Sequence, residues 1–260
     1  MLSNKYKITG IINHGTFSTL YEGIHIHKNQ KVAIKLESDP ISKKLLNHEI
    51  EMYLYLKKHK HIHIPKIKCI GIFEEYSYIV MELLDINLKQ HVKNGVSKLD
   101  FIYLIEQIIT LMSDFHDRNL CHRDIKPENF VLDKHKTLCI VDLGLSCHRS
   151  NRELMHFIGN KRYASYTCHL STYTYTKEDD LRSVVYMLLD LYTNTLPWDN
   201  YPNPTYKIKK EADFINFYKS KQLYDQVIDV ILAIHERIGH KYFYRDILAE
   251  LGCTIDYGES

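Results

Sequence analysis

The spacing of apolar residues changes at about residue 85, and this change constrains the fold more than any other feature of the chain. Before it, short segments alternate in polarity or are continuously apolar, and turn residues separate them, which is typical of β-strands. We predict a helix over 43–58 and five strands, over 6–12, 20–25, 31–36, 66–73 and 78–83. The expected structure is a five-stranded sheet that begins as an antiparallel meander and carries one helix.

After residue 85 the apolar residues recur every three or four positions, which is the spacing of a buried helical stripe. One stripe predicts a long helix that ends near Asn119; it consists of Phe101, Leu104, Ile105, Ile108, Ile109, Met112 and Phe115. A second long helix is predicted over 177–193, before the helix-breaking Pro197. Shorter helices are predicted over 211–219, 224–238 and 242–251.

These patterns predict an α+β fold with two lobes in a single domain of residues 1–260. The small lobe, residues 1–81, holds the antiparallel sheet, residues 82–85 form a hinge, and residues 86–260 form the larger, mainly helical lobe. With 45% hydrophobic and 25% charged residues, the chain has the composition of a globular protein.

Net charge, cysteine content and hydropathy indicate which partners and which cellular environment to expect. A formal net charge of +2 argues against bulk attraction to nucleic acid or to an anionic membrane, so we expect neither as a partner. The six cysteines form no CxxC pair, which is typical of reduced thiols in an intracellular protein. We expect no signal peptide, because the first residues contain no apolar h-region, and no apolar run is long enough to span a membrane.

Three alternating histidines, His59, His61 and His63, raise the question of a metal site. They lie in a Lys-rich stretch after the predicted helix, and no HExxH motif occurs in the chain. We therefore interpret this stretch as a solvated loop, because structural metal sites require other ligand spacings.

Residues 122–129, His-Arg-Asp-Ile-Lys-Pro-Glu-Asn, place a carboxylate, an ammonium and an amide at spacings that suit in-line phosphoryl transfer. Asp124 can accept the proton of an attacking hydroxyl, and Lys126 can neutralise the moving phosphoryl group. Asn129 can hold a magnesium ion. The string is typical of the catalytic loop of a protein kinase.

The segment between the first two predicted strands contains Gly15, at the place where a glycine-rich loop would cover nucleotide phosphates. Glycine suits that place because backbone amides must approach phosphate without an intervening Cβ. Only the middle glycine of a GxGxxG pattern is present, since Asn13 and Ser18 stand at the other two positions. Taken alone, this segment is more typical of an ordinary hairpin turn than of a nucleotide-binding loop.

Lys35 ends the sequence Val-Ala-Ile-Lys in the third predicted strand, and two acids in the following helix are candidate partners for it. Either Glu49 or Glu51 can hold Lys35 against nucleotide phosphates, but residues two apart on a helix do not share a face. Asp142 follows a buried strand and precedes Leu143 and Gly144, so it is a candidate ligand for the magnesium that bridges the phosphates.

Together these motifs resemble the eukaryotic protein kinase superfamily and, within it, the casein kinase 1 family. The narrower resemblance depends on residues 159–165, Gly-Asn-Lys-Arg-Tyr-Ala-Ser, which are similar to the GTARYAS-like segment of that family. The resemblance covers about residues 5–257. Abundant Ile, Lys, Asn and Tyr are typical of AT-rich genomes, such as those of some large DNA viruses and protists, and a viral member would act in the cytoplasm or nucleus of its host.

The resemblance implies a role for each matching residue. It pairs Lys35 with Glu49, makes Asp124 the catalytic base, assigns Asn129 and Asp142 to magnesium, and has Asp180 brace the catalytic loop. Met81 would be the gatekeeper, and the backbones of Glu82 and Leu84 would bind adenine. The implied nucleotide-binding set is Ile12, Gly15, Leu20, Ala33, Lys35, Met81, Glu82 and Leu84.

A basic pocket for substrate anions is also implied, formed by Arg162 and Lys161. Three further lysines are candidates for the same pocket, with a solvated basic surface as the alternative: Lys207, Lys209 and Lys210. Arginine suits such a pocket because its fork matches phosphate oxygens. The present sequence departs from the family pattern at Val185, where members of the family usually have glycine.

The sequence therefore predicts a monomeric, non-specific serine/threonine protein kinase that uses ATP and Mg²⁺ and favours acidic or phosphorylated protein substrates. One alternative is a pseudokinase that binds nucleotide or acts as a scaffold. A small-molecule phosphotransferase is a third possibility, which Lys126 with Pro127 and the 162–165 segment disfavour. The substitutions at Asn13 and Ser18 bear on the catalytic rate.

Overall fold

The computed structural model describes residues 2–14, 19–58, 63–148, 159–170, 173–201, 206–210 and 212–258. A five-stranded antiparallel sheet occupies the first part of the chain, in the order β1-β2-β3-β5-β4. Its strands are β1 (Tyr6–His14), β2 (Thr19–His25), β3 (Gln30–Glu37), β4 (Ile67–Phe73) and β5 (Tyr76–Glu82). One helix, α1 (Pro40–Lys57), follows β3. The predicted sheet with its single helix is present, and the α+β class is confirmed.

Strand β3 is central in this sheet, and its register determines which side chains share a face. Lys35 lies opposite Leu20 of β2 and Ile79 of β5. Because successive side chains of a strand point to opposite faces, Val32 and Ile34 lie on one face while Lys35 lies on the other. The first face is covered by an apolar cluster that consists of Leu2, Tyr6, Val32, Ile34, Tyr78 and Val80.

Helix α1 begins three residues earlier than the apolar spacing predicts. The carboxylate of Asp39 accepts hydrogen bonds from the amides of Ile41 and Ser42, and Pro40 occupies the first helical turn, where its missing N–H costs nothing. The buried face of the helix follows three- and four-residue spacing through Leu46, Glu49, Ile50, Tyr53 and Leu56. The carboxylate of Glu49 therefore lies in a stripe whose other members are apolar or aromatic.

Helices dominate the second part of the chain. They are α2 (Leu88–Lys93), α3 (Lys98–Asp117), α4 (Lys177–Thr193), α5 (Tyr206–Lys210), α6 (Phe214–Ser220), α7 (Gln226–Glu236) and α8 (Phe243–Gly258). The predicted stripe of α3 is buried, and α4 has the predicted limits. Neither α2 nor α5 is predicted by the sequence, because helices of six and five residues are too short to show a periodic stripe.

Caps explain where the two long helices begin and end. Ser97 accepts a hydrogen bond from the amide of Asp100 at the start of α3. At the start of α4, Thr176 and Asp179 form a capping box. Helix α4 ends at Asn194, whose left-handed φ of 55° stops the helix before Pro197.

Five short strands complete the described structure: β6 (Ile86–Asn87), β7 (Leu120–Cys121), β8 (Phe130–Leu132), β9 (Leu138–Ile140) and β10 (Cys147–His148). Strands β7 and β10 pair with each other, and β6, β8 and β9 form a small sheet in that order. None of the described helices is both long enough and apolar enough to cross a membrane.

The chain forms two compact units whose limits differ from the predicted lobes. The first comprises Met1–Ile86 with Val131–Leu145, and the second comprises Asn87–Phe130 with Ser146–Ser260. Residues 131–145, which the sequence assigned to the helical lobe, belong to the first unit because the 3₁₀ turn Leu143–Leu145 packs on α1. The amide of Ile140 also donates to the carbonyl of His63 at 3.0 Å. Asp142 therefore lies in the same unit as Lys35.

Two leucines of α1 provide a matched test of this packing. The side chain of Leu46 is 1% exposed, whereas that of Leu54 is 41% exposed. We expect Leu46→Ala to lower the free energy of unfolding by about 2–5 kcal/mol, because it removes buried methyl groups and leaves a cavity. Leu54→Ala should change it by less than about 1 kcal/mol. Thermal melting of both variants measures the difference, and equal losses would contradict the described orientation of α1.

Candidate active site

Three charged side chains meet in the first unit. The ammonium of Lys35 on β3 lies 2.6 Å from Oε2 of Glu49 on α1 and 3.0 Å from Oδ1 of Asp142. The side chains of Lys35 and Glu49 are only 12% and 2% exposed. The predicted pairing of Lys35 with Glu49 is thus present, while Glu51 is exposed on the other side of the helix.

The charges of this group do not balance. Burial lowers the pKa of Lys35, but the neighbouring charges of Glu49 and Asp142 outweigh burial and hold the pKa well above its usual range. Burial raises the pKa of Glu49, which Lys35 opposes and the charge of Asp142 reinforces. Two carboxylates on one ammonium leave an excess of negative charge. A divalent cation beside Asp142 would neutralise that excess, so the residues fit the magnesium role predicted for Asp142.

The backbone of Asp142 is held in an unusual conformation by a residue that sequence reasoning missed. Asp142 has a positive φ of 61°, which is uncommon for a residue other than glycine. Its amide donates to the hydroxyl of Tyr53 at 3.2 Å, and the adjacent Leu143 is fully buried. Burial raises the pKa of Tyr53 well above its usual value, with Glu49 adding to the effect, so the phenol stays neutral. The sequence spacing could have identified Tyr53 as a residue of this site, because it lies four residues after Glu49 and therefore on the same helical face.

The predicted nucleotide-binding residues of the first unit lie on neighbouring strands. Ala33 and Met81 are both buried and lie opposite each other in the pairing of β3 with β5. Leu20 lies opposite Lys35, whereas Ile12 on β1 is exposed.

The amide of Glu82 donates to the carbonyl of Lys66 at 2.9 Å. Because this donor is already used, the carbonyl of Glu82 is the backbone group that would contact adenine. Leu84 is partly buried just after β5. Gly15 and Ser18, the other predicted features of this region, lie outside the described residues, whereas Asn13 lies in β1.

In the second unit, a buried carboxylate fixes the backbone of the catalytic loop. Asp180 of α4 accepts hydrogen bonds from the amides of His122 and Arg123, at 2.7 and 3.0 Å. It also accepts from the hydroxyl of Tyr175 at 2.7 Å and contacts the imidazole of His116 at 3.0 Å. Burial alone would raise the pKa of Asp180, but the contact with His116 and the other hydrogen bonds lower it below its usual range. The predicted brace therefore forms, and the carboxylate is ionised.

Asp124, the predicted base, is held by two residues of its own loop. The ammonium of Lys126 donates to its carboxylate at 2.5 Å. The side-chain amide of Asn129 donates to the Asp124 carbonyl at 2.8 Å and to the carboxylate at 3.2 Å. These bonds use the nitrogen of Asn129, so its amide oxygen is the atom suited to a magnesium ion. Pro127 opens the short 3₁₀ turn that brings Asn129 back to Asp124.

Gly159 approaches this loop more closely than any other residue type can. Its φ of +119° is one that L side chains rarely adopt. A Cβ added here would lie 2.8 Å from the carbonyl oxygen of Arg123 and 3.5 Å from Oδ1 of Asp124. The glycine that opens the 159–165 segment is therefore required by the contact with the catalytic loop.

The protein kinase domain family matches residues 6–247, which is nearly the whole chain. The chain belongs to the protein kinase family. Membership implies ATP as the phosphoryl donor and proteins as substrates. The two groups described above, around Lys35 and around Asp124, contain the residues that match the family's catalytic motifs.

The predicted anion site of this kinase has partners that the sequence did not indicate. The guanidinium of Arg162 binds the carboxylate of Asp190 through two nitrogens, at 2.7 and 3.2 Å, and that of Asp199 at 2.5 and 3.1 Å. These hydrogen bonds raise the pKa of Arg162 above its usual range. A substrate anion at Arg162 would have to displace a carboxylate, which weighs against the predicted role. Lys161 is exposed and its role stays a prediction.

The other candidate lysines of the kinase separate into different environments. Lys209 is fully buried and donates to three backbone carbonyls, so both earlier interpretations of it, as part of an open pocket or of a solvated surface, are wrong. Lys210 is exposed, and the side chain of Lys207 lies outside the described residues.

The described cysteines of the kinase, Cys69, Cys121, Cys139, Cys147 and Cys168, are free thiols. Burial raises the pKa of Cys139 and Cys168 to about 12, so these thiols are poor nucleophiles. No group of three or more His, Cys, Asp and Glu side chains in the described ranges is arranged to hold a metal ion. His59 and His61 lie outside those ranges.

The brace at Asp180 predicts a pH dependence of stability. Because the pKa of Asp180 is lower in the folded kinase than its ordinary value of about 3.9, its contribution is present at neutral pH and is lost as the pH falls below about 4. We expect Asp180→Asn to lower the free energy of unfolding at pH 7 by about 3 kcal/mol, because buried donors lose a charged acceptor.

Melting temperatures of the wild type and Asp180→Asn, measured from pH 7 down to pH 3, test this expectation. The difference between them should shrink below about pH 4. Asp117→Asn, a matched change at an exposed position of α3, should melt like the wild type throughout. A difference for Asp180→Asn that stays constant with pH would show that the ionised carboxylate is not the stabilising species.

Proposed function

We propose that this kinase transfers the γ-phosphoryl group of ATP to serine or threonine hydroxyls of proteins, with Mg²⁺, as a member of the casein kinase 1 family. The observation that carries the proposal is the arrangement of Asp124, whose buried carboxylate is held by Lys126 and Asn129 on a loop braced by Asp180. A lysine two residues after the base resembles serine/threonine kinases. The segment 162–165 supports the narrower family.

Lys35 supplies the positive charge for the nucleotide in this proposal. Glu49 holds its ammonium at 2.6 Å, and the strong elevation of its pKa keeps it protonated at neutral pH. A protonated lysine fixed on a central strand suits the α and β phosphates, since it is positioned before the nucleotide arrives. Asp142 and Asn129 are each proposed as magnesium ligands, and the ion would supply positive charge to neutralise the phosphates.

Asp124 and Lys126 would carry the transfer itself. As the substrate hydroxyl attacks the γ-phosphorus, its proton passes to the carboxylate of Asp124, and the bond between the γ-phosphorus and the β-γ bridging oxygen breaks. The ammonium of Lys126, already beside that carboxylate, neutralises charge on the moving phosphoryl group. The side chain of Asp124 is buried, which limits the access of bulk water to the reacting groups.

The assigned base is tested with an isosteric substitution. We expect Asp124→Asn to lower phosphorylation of casein by a factor of about 10²–10⁴, because the hydroxyl loses its proton acceptor. Binding of ATP with Mg²⁺, measured as a rise in melting temperature, should be retained, since Lys35 and Asp142 are unchanged. Asp117→Asn is the matched control and should phosphorylate casein at the wild-type rate.

Two outcomes would contradict the proposal in different ways. Undiminished labelling by Asp124→Asn would show that another group acts as the base. Wild-type protein that is stabilised by ATP with Mg²⁺, but labels no protein serine or threonine, would be the pseudokinase of the alternative hypothesis.

We also propose a preference for acidic or phosphorylated substrates, which the resemblance supports through Lys161 and Arg162. The pairing of Arg162 with Asp190 and Asp199 opposes this preference, because both carboxylates compete with a substrate anion for the same guanidinium. Asp199 is the more exposed of the two, so it is the carboxylate that a substrate would displace first.

Releasing Arg162 from Asp199 should therefore strengthen the preference. We expect Asp199→Asn to raise the ratio of kcat/KM for a phosphorylated peptide over its unphosphorylated form by about tenfold, the equivalent of one charge-assisted hydrogen bond. Asparagine keeps an oxygen that can accept from the amide of Leu196, as Asp199 does now. The gain should vanish in the double variant Asp199→Asn with Arg162→Gln. The same ratio in wild type and Asp199→Asn would exclude Arg162 as an anion-binding residue.

A further inference from the structure

Lys209 is the most completely buried cation in the described part of the chain, at 1% exposure. Its ammonium donates to the carbonyl oxygens of Lys161 and Ala164, both at 2.7 Å, and of Arg162 at 3.2 Å. A lysine ammonium has three N–H bonds, so these three acceptors use its full donor capacity. All three acceptors lie in residues 161–164, which we name the tethered segment.

The surroundings of Lys209 show that this burial has a cost. The ammonium lies 4.9 Å from the ring centre of Trp198 and 5.6 Å from that of Tyr186, distances at which a cation is attracted to an aromatic face. Burial still lowers the pKa of Lys209 to about 7, with the charge of Arg162 adding to the effect and Cys168 opposing it. An apolar side chain of similar length would pack here without any desolvated charge. Unlike an apolar side chain, the lysine donates hydrogen bonds that fix three backbone carbonyls.

The indole of Trp198 holds the same segment from a second direction. Its Nε1 donates to the carbonyl of Arg162 at 3.0 Å, so that one carbonyl accepts from both Trp198 and Lys209. Two donors on one carbonyl restrict the peptide plane more strongly than either would alone. The side chain of Arg162 is meanwhile held by Asp190 and Asp199, as described above.

Hydrogen bonds and contacts lead from the tethered segment to the catalytic base within the second unit. The amides of Ala164 and Arg162 donate to the backbone and side-chain oxygens of Asn160, at 3.0 and 2.8 Å. Asn160 adjoins Gly159, which lies against Arg123 and Asp124. The side chains of Asp124, Asn160 and Ala164 also line one small cavity, large enough for about one water molecule. The segment that Lys209 holds is therefore a wall of the space beside Asp124.

We propose that Lys209 is a positioning residue for the protein substrate, which fixes the tethered segment beside the catalytic base instead of binding a substrate anion. The effect on substrate rests on the proposed kinase function, whereas the tether itself does not. Loss of Lys209 loosens the backbone that a peptide must contact on its way to Asp124. Groups that hold ATP lie on other elements and are not affected.

The test compares Lys209→Met with Lys219→Met, the same change at an exposed position of α6. We expect Lys209→Met to raise KM for a serine peptide on the order of tenfold, as for the loss of one charge-assisted hydrogen bond, with kcat and KM for ATP close to the wild type. Lys219→Met should leave all three parameters unchanged. A residue that only stabilises the fold would instead lower the amount of active enzyme and leave both KM values alone.

Hydrogen exchange provides a readout that needs no turnover. In Lys209→Met the amides of Arg162 and Ala164, which donate to Asn160, should exchange faster, while the amides in the middle of α3 exchange as in the wild type. If wild-type protein transfers no phosphoryl group and these two amides still exchange faster in the variant, the proposed function fails and the tether stands. Unchanged exchange at both amides, or an equal rise in α3, would overturn the tether.

Trp198→Phe supplies a second variant in case Lys209→Met does not fold. Phenylalanine keeps an aromatic ring beside the ammonium but has no N–H for the Arg162 carbonyl. We expect a rise in peptide KM and in exchange at the same two amides, smaller than that caused by Lys209→Met. A Trp198→Phe protein with wild-type peptide KM and wild-type exchange would overturn the inference that these carbonyls position substrate.

Discussion

The conformation of the second unit's catalytic loop depends on the buried carboxylate of Asp180. A fully buried carboxylate is stable only when its charge is matched by donors, and Asp180 has contacts with two amides, a hydroxyl and an imidazole. The two amides belong to His122 and Arg123, the residues just before Asp124. Arg123 itself has a φ of 70°, a conformation that a non-glycine residue keeps only when its surroundings enforce it. The Asp180 brace therefore fixes the backbone that leads directly into Asp124.

The start of α4 supplies this carboxylate for a local reason. Thr176 and Asp179 close the capping box, and three acids in the first turn face the positive end of the helix dipole. The residue after Asp179 therefore has a fixed direction, and Asp180 points at the loop amides. The first unit uses the same device on α1, where the Asp39 cap fixes the helix and a buried stripe directs Glu49 at Lys35. In both units a capped helix positions a buried carboxyl group, that of Glu49 against Lys35 of β3 and that of Asp180 against the amides of the catalytic loop.

Much of this arrangement could be predicted from sequence, and the exceptions share a physical cause. Alternating and helical apolar patterns locate every strand of the large sheet and the long helices, because burial on one face leaves a periodic trace. Sequence spacing alone does not decide whether Glu49 or Glu51 pairs with Lys35. The choice depends on which face of the helix is buried. The pairing became certain only with the observed stripe of Leu46, Glu49 and Tyr53.

The contacts that sequence did not indicate concern cations whose partners lie far away in the chain. Arg162 pairs with carboxylates 28 and 37 positions later, and Lys209 donates to carbonyls more than 40 positions earlier. No local pattern records such a pairing, so a basic residue in a family-like motif is easily taken for a ligand-binding group. The boundary of the first unit was misplaced for the same reason, because residues 131–145 pack on α1 through contacts between distant parts of the chain.

These two cations also change what the 159–165 segment implies. Gly159 is required by its approach to Arg123, and the carbonyls of residues 161, 162 and 164 are held by Lys209. Every one of these contacts acts on the backbone, and the Arg162 side chain is bound within the chain. Sequence similarity to a family over residues 159–165 therefore indicates, above all, that the backbone has the same conformation beside the catalytic base. The binding properties of the Arg162 side chain are a separate matter, because Asp199, a residue outside the motif, already pairs with its guanidinium.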